Sequence, residues 1–306
     1  MIGKVVGVIL VFMVLVFSFA FVVENLLQDP VRLKVNYLEP ERGEFVEYGA
    51  VPVFAENLRF NHNLISYSFV EGCDAKRIGE MRGAFNIFAS AVRIVSFYEV
   101  EDDGDILVGC SNKFVELGDS LFAAGEGGPS KIVNTSGFKV IEEGKIVLYR
   151  SDMCAYPVVA LHELCHVFGF DHSLDPENIM FNTSGCNQRM SDDMVEVIRE
   201  LYSIEILADA RIGNISSVAQ GKYLDFNISI LNEGLIGIDS IDLTILGDGE
   251  IVDVVDLGEI DVGYGRTLRV ENMWVGFGVE RVEFVVDAGD LVRELDEGNN
   301  VVEMIV

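Results

Sequence analysis

His162-Glu163-Leu164-Cys165-His166-Val167-Phe168-Gly169-Phe170-Asp171-His172 is the stretch on which the reading of this 306-residue chain turns. A helical residue advances by about 100°, so His162 and His166, four apart, point to one side and can share one metal ion. Glu163, next along, then stands beside that ion, placed to take a proton from bound water and not to ligate. Gly169 lets the chain leave the helix with a positive φ, and three further residues suffice to return His172 as a third nitrogen donor. Three imidazoles and one free corner make a zinc site that keeps room for water. The competing reading is that two histidines on one helix face are ordinary polar residues, since a bare HExxH arises by chance in many helices. Against it, three of the four histidines of the chain fall inside this stretch and only His62 lies outside.

The extended pattern H-E-x-x-H-x-x-G-x-x-H resembles that of the metzincin metalloproteases. Ser173 follows the third histidine, and Met180, in Asn178-Ile179-Met180-Phe181, stands where that family places the methionine turn beneath the metal. The helix pattern from Ser191 to Tyr202 is similar to the last helix of the matrixin branch. The resemblance implies an α+β domain with a mixed twisted sheet, zinc held by His162, His166 and His172, and hydrolysis of a protein or peptide substrate with Glu163 as the catalytic carboxylate. It also implies that Met180 shapes the floor of the site without ligating, and that the specificity pocket lies between His166 and Leu201. The cysteine that blocks the metal in secreted matrixins has no counterpart between the N-terminal apolar segment and Cys73.

Composition narrows the setting. Half of the residues are apolar and the chain is long enough for two domains. The formal charge of −28, from 50 acidic and 22 basic residues, repels nucleic acid and anionic membrane surfaces, so neither nucleic acid nor an anionic bilayer surface is an expected partner. Residues Val5 to Val23 carry no charge and follow Lys4. As a helix they span about 28 Å, close to the hydrocarbon thickness of a bilayer. They read as an uncleaved transmembrane anchor or as a signal peptide with Ser18-Phe19-Ala20 at its cleavage site, and either puts the remainder at the cell surface or outside it.

Cys73, Cys110, Cys154, Cys165 and Cys186 precede the C-terminal third, and an exported domain is expected to pair them and leave one thiol. Connectivity is not legible from spacing. The expected pairing is Cys73 with Cys110, at the ends of strands flanking a helix, and Cys154 with Cys186, tying the histidine helix to the segment after Met180. Cys165 is then left over as the free thiol; offset by about 100° from His166, it reads as a small buried residue and not as a metal ligand. Four N-x-S/T tripeptides, at Asn134, Asn182, Asn214 and Asn227, fit the same compartment without proving it.

Residues 1–24 are thus read as anchor or signal peptide and 25–57 as a stalk or N-terminal wrap. Residues 58–203 are read as the metalloprotease-like domain. There, Leu64 to Val70 alternates as a half-buried strand, and Asp74 caps a helix with Ile78, Met81, Phe85, Phe88 and Val92 on one face. Strands follow around Phe97 and at Ile106 to Gly109, with Asp102, Asp103 and Asp105 between them as a calcium loop or a solvated turn. Residues 118–137 read as a glycine-rich loop, and 139–149 as a hairpin turning at Glu142-Glu143-Gly144. By family resemblance an edge strand beside the cleft receives extended substrate. Ser191, with Asp192 and Asp193 behind it, caps a helix that faces Met194, Val197, Ile198 and Leu201 inward.

From 204 to 306 the texture changes to short alternating runs between glycine turns, without Cys or His. Strands are expected at 224–231, 241–246, 251–257, 267–275, 282–286 and 301–306, as in an immunoglobulin-like β-sandwich. The stretch from Val286 through Glu294-Leu295-Asp296-Glu297-Gly298-Asn299-Asn300 resembles the end of CARDB-type domains, adhesion-related sandwiches of prokaryotic surface proteins. Its acidic, Asn-rich loop is read as a calcium site or as turn chemistry; no ligand for the sandwich itself is legible. Two alternatives to a zinc endopeptidase remain open. One is a surface adhesion protein whose sandwich works while the zinc domain is a scaffold, and the other is an enzyme acting on a non-peptide amide.

Overall fold

The computed structural model describes residues 46–48, 51–70, 72–118 and 121–305. The apolar segment 5–23 lies outside them, and among the described residues no helix is long and apolar enough to cross a membrane. Strands β1 (Val46–Tyr48) and β2 (Val51–Val53) pair antiparallel. Beyond β2 the chain runs beside the exit of the histidine helix: the Phe54 amide donates to Gly169 O at 3.0 Å and the Asp171 amide donates to Pro52 O at 2.9 Å.

Strands β3 (Leu58–Phe60) and β4 (Leu64–Phe69) lead into helix α1 (Ala75–Val92). The Asp74 carboxylate caps α1 by accepting the Lys76 and Arg77 amides, each at 3.0 Å. Met81, Phe85, Phe88 and Val92 form its buried stripe, while Ile78 is only half-buried. Helix α1 is the crossover that lets β5 (Ser96–Glu99) lie parallel to β4, and β6 (Ile106–Cys110) then pairs parallel on the other side of β4. Strand β4 is therefore central. Ser66 and Ser68 are buried with Ile65 and Tyr67, so the half-buried expectation fails: the turn at Gly104 and Asp105 lies against the serines. The buried hydroxyls are satisfied by the turn: Ser66 Oγ donates to Asp105 Oδ2 at 2.6 Å and Ser68 Oγ accepts the Gly104 amide at 3.2 Å.

After the short pair β7 (Glu116–Gly118) and β8 (Leu121–Phe122), the strands β9 (Gly125–Asn134) and β10 (Lys139–Leu148) form one long hairpin. This corrects two expectations. Residues 125–134 are a strand and not a glycine-rich loop, and Glu142-Glu143-Gly144 is a bulge within a single strand and not a turn. A Cβ on Gly144 would lie 2.6 Å from Val167 Cγ1, so that glycine answers to packing. The sheet order is β3-β10-β6-β4-β5, with β9 antiparallel along β10. Helices α2 (Val158–Val167) and α3 (Asp192–Ser203) complete this half. Phe168, at the end of α2, sits with its ring centroid 4.4 Å from that of Phe88 and 5.9 Å from those of Phe60 and Tyr202, which locks the helix into the core. Disulfides join Cys73 to Cys110 and Cys154 to Cys186, and Cys165 is a buried free thiol, as the sequence leads one to expect.

The C-terminal half is a sandwich of antiparallel strands: β11 (Ala210–Gln220), β12 (Tyr223–Asn232), β13 (Ile238–Gly247), β14 (Glu250–Ile260), β15 (Gly265–Trp274), β16 (Arg281–Val286) and β17 (Val301–Ile305). Sheet β11-β12-β15 faces sheet β14-β13-β16-β17. Alternation drives it: Leu224, Phe226, Ile228 and Ile230 of β12 are buried against Leu243, Ile245, Val282 and Phe284. Burying each such side chain contributes about 1.5–3 kcal/mol. Strand β11 was not among the expected strands. Its pattern is broken by Gly213 and by a register shift between Ile212 and Ile215, which hides the alternation. The two halves meet through polar groups. Ser136 Oγ donates to Glu233, which also takes a bidentate pair of hydrogen bonds from Arg211 at 2.8 and 2.7 Å, and Arg293 pairs with Glu205 at 2.6 Å.

Candidate metal centre

Pro157 occupies the N-cap of α2 and provides no side-chain cap. The missing acceptor comes from Asp152, a buried carboxylate that takes the Val159 amide at 3.0 Å and the Cys154 amide at 2.9 Å. From that anchored start the helix turns His162 and His166 to one side, and Gly169, at φ +92°, ends it. One ring nitrogen from each of His162, His166 and His172 lies within 4.8 Å of the others. All three histidines expected as ligands are thus brought together.

The backbone around them fixes which nitrogen is available. His162 Nδ1 lies 2.7 Å from Ile179 O and His166 Nδ1 lies 2.8 Å from Phe170 O. A carbonyl only accepts, so each Nδ1 carries the proton and each Nε2 is left with a bare lone pair. Those two Nε2 atoms are 3.0 Å apart. Two bare lone pairs at that distance repel unless a cation lies between them, so the donor set fits a zinc ion. Burial pushes the His162 ring down to about 4, against the Ile179 hydrogen bond, and pushes His166 down to about 3 with help from His162. Both rings stay neutral at ordinary pH, as ligands must. His172 is half exposed and closes the cluster from the solvent side.

Glu163 is 6% exposed and lies against β9. A Cβ on Gly125 would come within 2.7 Å of Glu163 Cγ, and one on Gly127 would overlap the Glu163 carbonyl. The glycines let the edge strand pass directly over the helix. Burial, reinforced by Glu126, pushes the Glu163 carboxyl up to about 8, in the range of a group poised to hold or release a proton near neutrality. Met180 is fully buried; its amide donates to Asn178 Oδ1 at 2.8 Å and its carbonyl accepts the Ser173 amide at 2.8 Å. That turn presents Ile179 O to His162. A cavity of about 650 Å³ lined by Ile87, Tyr156, Arg189 and Arg199 lies elsewhere and contains none of the histidines.

Sequence reasoning missed Asp152, the carbonyls of Phe170 and Ile179, and Gly125 with Gly127. Only the glycines carried a signal, a G-x-G pair just ahead of a β-rich run. The acidic turn at 102–105 does not gather its carboxylates. Asp105 turns inward, where burial would raise its pKa, but hydrogen bonds from His62 and Ser66 outweigh that and hold it below the usual range.

Residues 59–203 match the Matrixin family model and residues 207–304 match the CARDB model. Rat (Rattus norvegicus) stromelysin-2 is 39% identical over 67 residues, which is 20% of this chain and 14% of that relative's own length. The CARDB domain of a Pyrococcus furiosus protein, solved in complex with di-metal ions, is 22% identical, covering 33% of this chain and 87% of that one at a TM-score of 0.29. A domain from Methanosarcina acetivorans is 19% identical, covering 33% and 90% at the same TM-score. The chain therefore carries a matrixin stretch, residues 59–203, followed by a CARDB stretch, residues 207–304.

Proposed function

We propose that this protein is a zinc-dependent endopeptidase working outside the cytoplasm, with His162, His166 and His172 as metal ligands and Glu163 as general base. The observation that carries the reading is the pair of bare Nε2 atoms 3.0 Å apart, beside a buried carboxylate at the end of an edge strand. Bound zinc supplies Lewis acidity, drawing the pKa of water toward neutrality and polarising a carbonyl. Glu163 accepts the proton of the attacking water at its carboxylate and passes it to the leaving amine. Strand β9 pairs on one side with β10, and its other side offers backbone groups to an extended peptide. Met180 and the Ile179 carbonyl hold the floor and the His162 ring. Two disulfides support an oxidising compartment, and the anchor or signal reading of 5–23 supports export. An intact base beside the ligands weighs against a pure scaffold.

Glu163→Gln tests the reading. The variant is expected to retain about one zinc per chain and to lose peptide cleavage by at least about 100-fold, the low end of general-base contributions. Cleavage of a quenched peptide at the wild-type rate would reject Glu163 as base, and absence of zinc from the wild type would reject the metal centre.

A further inference from the structure

The loop between β16 and β17, residues 287–300, returns along the strand-like segment that brings the chain into the sandwich. The Leu295 amide donates to Ala208 O at 2.9 Å and the Ile212 amide to Asn299 O at 3.3 Å. Inside that loop three oxygens are buried without any hydrogen-bond partner: Glu294 Oε1, Asn299 Oδ1 and Asn300 Oδ1. Glu294 is 6% exposed and Asn300 5%. A buried polar atom left unpaired costs about 1–3 kcal/mol, and more when it is charged.

The amide orientations follow from their neighbours. Asn300 Nδ2 donates to Glu294 Oε2 at 2.8 Å and Asn299 Nδ2 donates to Asp209 Oδ1 at 2.9 Å. Each side chain spends its NH2 group on a carboxylate, so each carbonyl oxygen must point elsewhere. Turning Asn300 over would set its oxygen against Glu294 Oε2. Among the described residues no cationic side chain pairs with these oxygens: Arg211 is committed to Glu233 and Arg293 to Glu205. The charges around Glu294 are of its own sign. Burial, opposed by hydrogen bonds from Asn300 and the Ala210 amide and joined by Glu297 and Asp287, pushes its carboxyl up to about 7. The loop therefore holds hard oxygen donors beside carboxylates that already take backbone amides, Asp287 from Leu291 and Val292 and Glu297 from Glu294.

We propose that Glu294 Oε1 and Asn300 Oδ1 are inner ligands of a calcium ion, with Asp287 and Glu297 as the flanking carboxylates that balance its charge. Oxygen donors of mixed carboxylate and amide type suit Ca2+, whose shell of 6–8 ligands tolerates irregular geometry and bound waters. Asn299 reaches from this loop to Asp209, on the chain entering the sandwich, so an ion here fastens the link between the two halves. This site is independent of the zinc reading and uses none of its residues.

The test is calorimetric titration of CaCl2 into the zinc-loaded full chain, alongside thermal unfolding with and without calcium. We expect one Ca2+ per chain and a rise of about 5 °C or more in the sandwich transition at saturation. Mg2+ at equal concentration should bind at least ten times more weakly. Glu294→Gln should have two effects of opposite sign: a higher melting temperature without calcium, since a buried charge is gone, and loss of the calcium-induced rise. Glu297→Gln, at an exposed position, should weaken calcium by several-fold and move the calcium-free transition less than Glu294→Gln does. Absence of calcium heat in the wild type, equal binding by Glu294→Gln, or magnesium binding as tight as calcium would each overturn the proposal. Asp102→Asn, at the other acidic turn, should leave the calcium response unchanged.

Discussion

The histidine cluster on α2 and the acidic loop after β16 both collect lone-pair donors with no positive side chain among them, but they do so by different chemistry. In the first, the donors are neutral nitrogens. Backbone carbonyls of Phe170 and Ile179 take the other ring proton, so the backbone decides which atom faces the ion. In the second, the donors are charged or amide oxygens, oriented by neighbouring carboxylates. The two donor sets differ in the cation they would suit: imidazole nitrogen favours zinc, while carboxylate and amide oxygen favour calcium. Each cluster also rests on its own hydrophobic core, one around Phe60, Phe88 and Phe168 and the other around Phe226 and Phe284.

The comparison breaks first, and hardest, at the ligands. His166→Ala should weaken zinc by more than about 100-fold, the range seen for losing only a supporting partner, and take peptide cleavage with it. Metal analysis after dialysis checks this, and the calcium response of the sandwich should stay the same. A shared loss of both would show that the two clusters are coupled. Next in size, Phe284→Ala should destabilise the sandwich by about 3–5 kcal/mol. Two-transition unfolding is the readout, and peptide cleavage below the sandwich's transition should persist.

A smaller effect sharpens the account of the buried charges. The Glu163 carboxyl has an ordinary value of 4.5 and is pushed up to about 8, so the folded metal-free chain holds an extra proton between those limits. Its stability therefore falls as pH rises through that window. His162 and His166 act in the opposite direction. Their folded values lie below 6.5, so they cost stability as pH drops from 6.5 toward 4 and 3. Between pH 6.5 and 8 the tail of the two histidines still returns a few tenths of a kcal/mol each, in both the wild type and a Glu163 variant. Relative to chelated Glu163→Gln, chelated wild-type protein should therefore lose about 1–2 kcal/mol over that interval; denaturant titration of both proteins at the two pH values measures the difference. The smallest effect is at a cap far from both clusters: Asp74→Ala should cost about 1 kcal/mol with cleavage unchanged.

What was legible in the sequence divides along physical lines. The ligand spacing on α2, the amphipathic face of α1 and the alternation of β12 are local periodicities, and each survives folding unchanged. Strands β9 and β10 were misread because glycine has low strand preference and usually marks turns. At Gly125, Gly127 and Gly144 it marks places where a helix presses on the sheet, a tertiary cause invisible to a local window. The burial of Ser66 and Ser68 was hidden for the same reason: the turn at Gly104 and Asp105 that lies against them is far along the chain. Strand β11 lost its alternation to an irregularity in register. At the candidate centre the donors were readable, but the carbonyls that select their tautomers were not, because any residue carries a carbonyl.

One further consequence follows from Cys165. Two bridges form among five cysteines, and the odd sulfur ends up fully enclosed behind α2, its thiol pushed up by burial and by Glu163. Before the helix packs, that sulfur is an accessible competitor able to capture the wrong partner; afterwards it is chemically silent. A pulse of alkylating reagent during oxidative refolding should therefore act as a stopwatch, labelling Cys165 only until the helix docks.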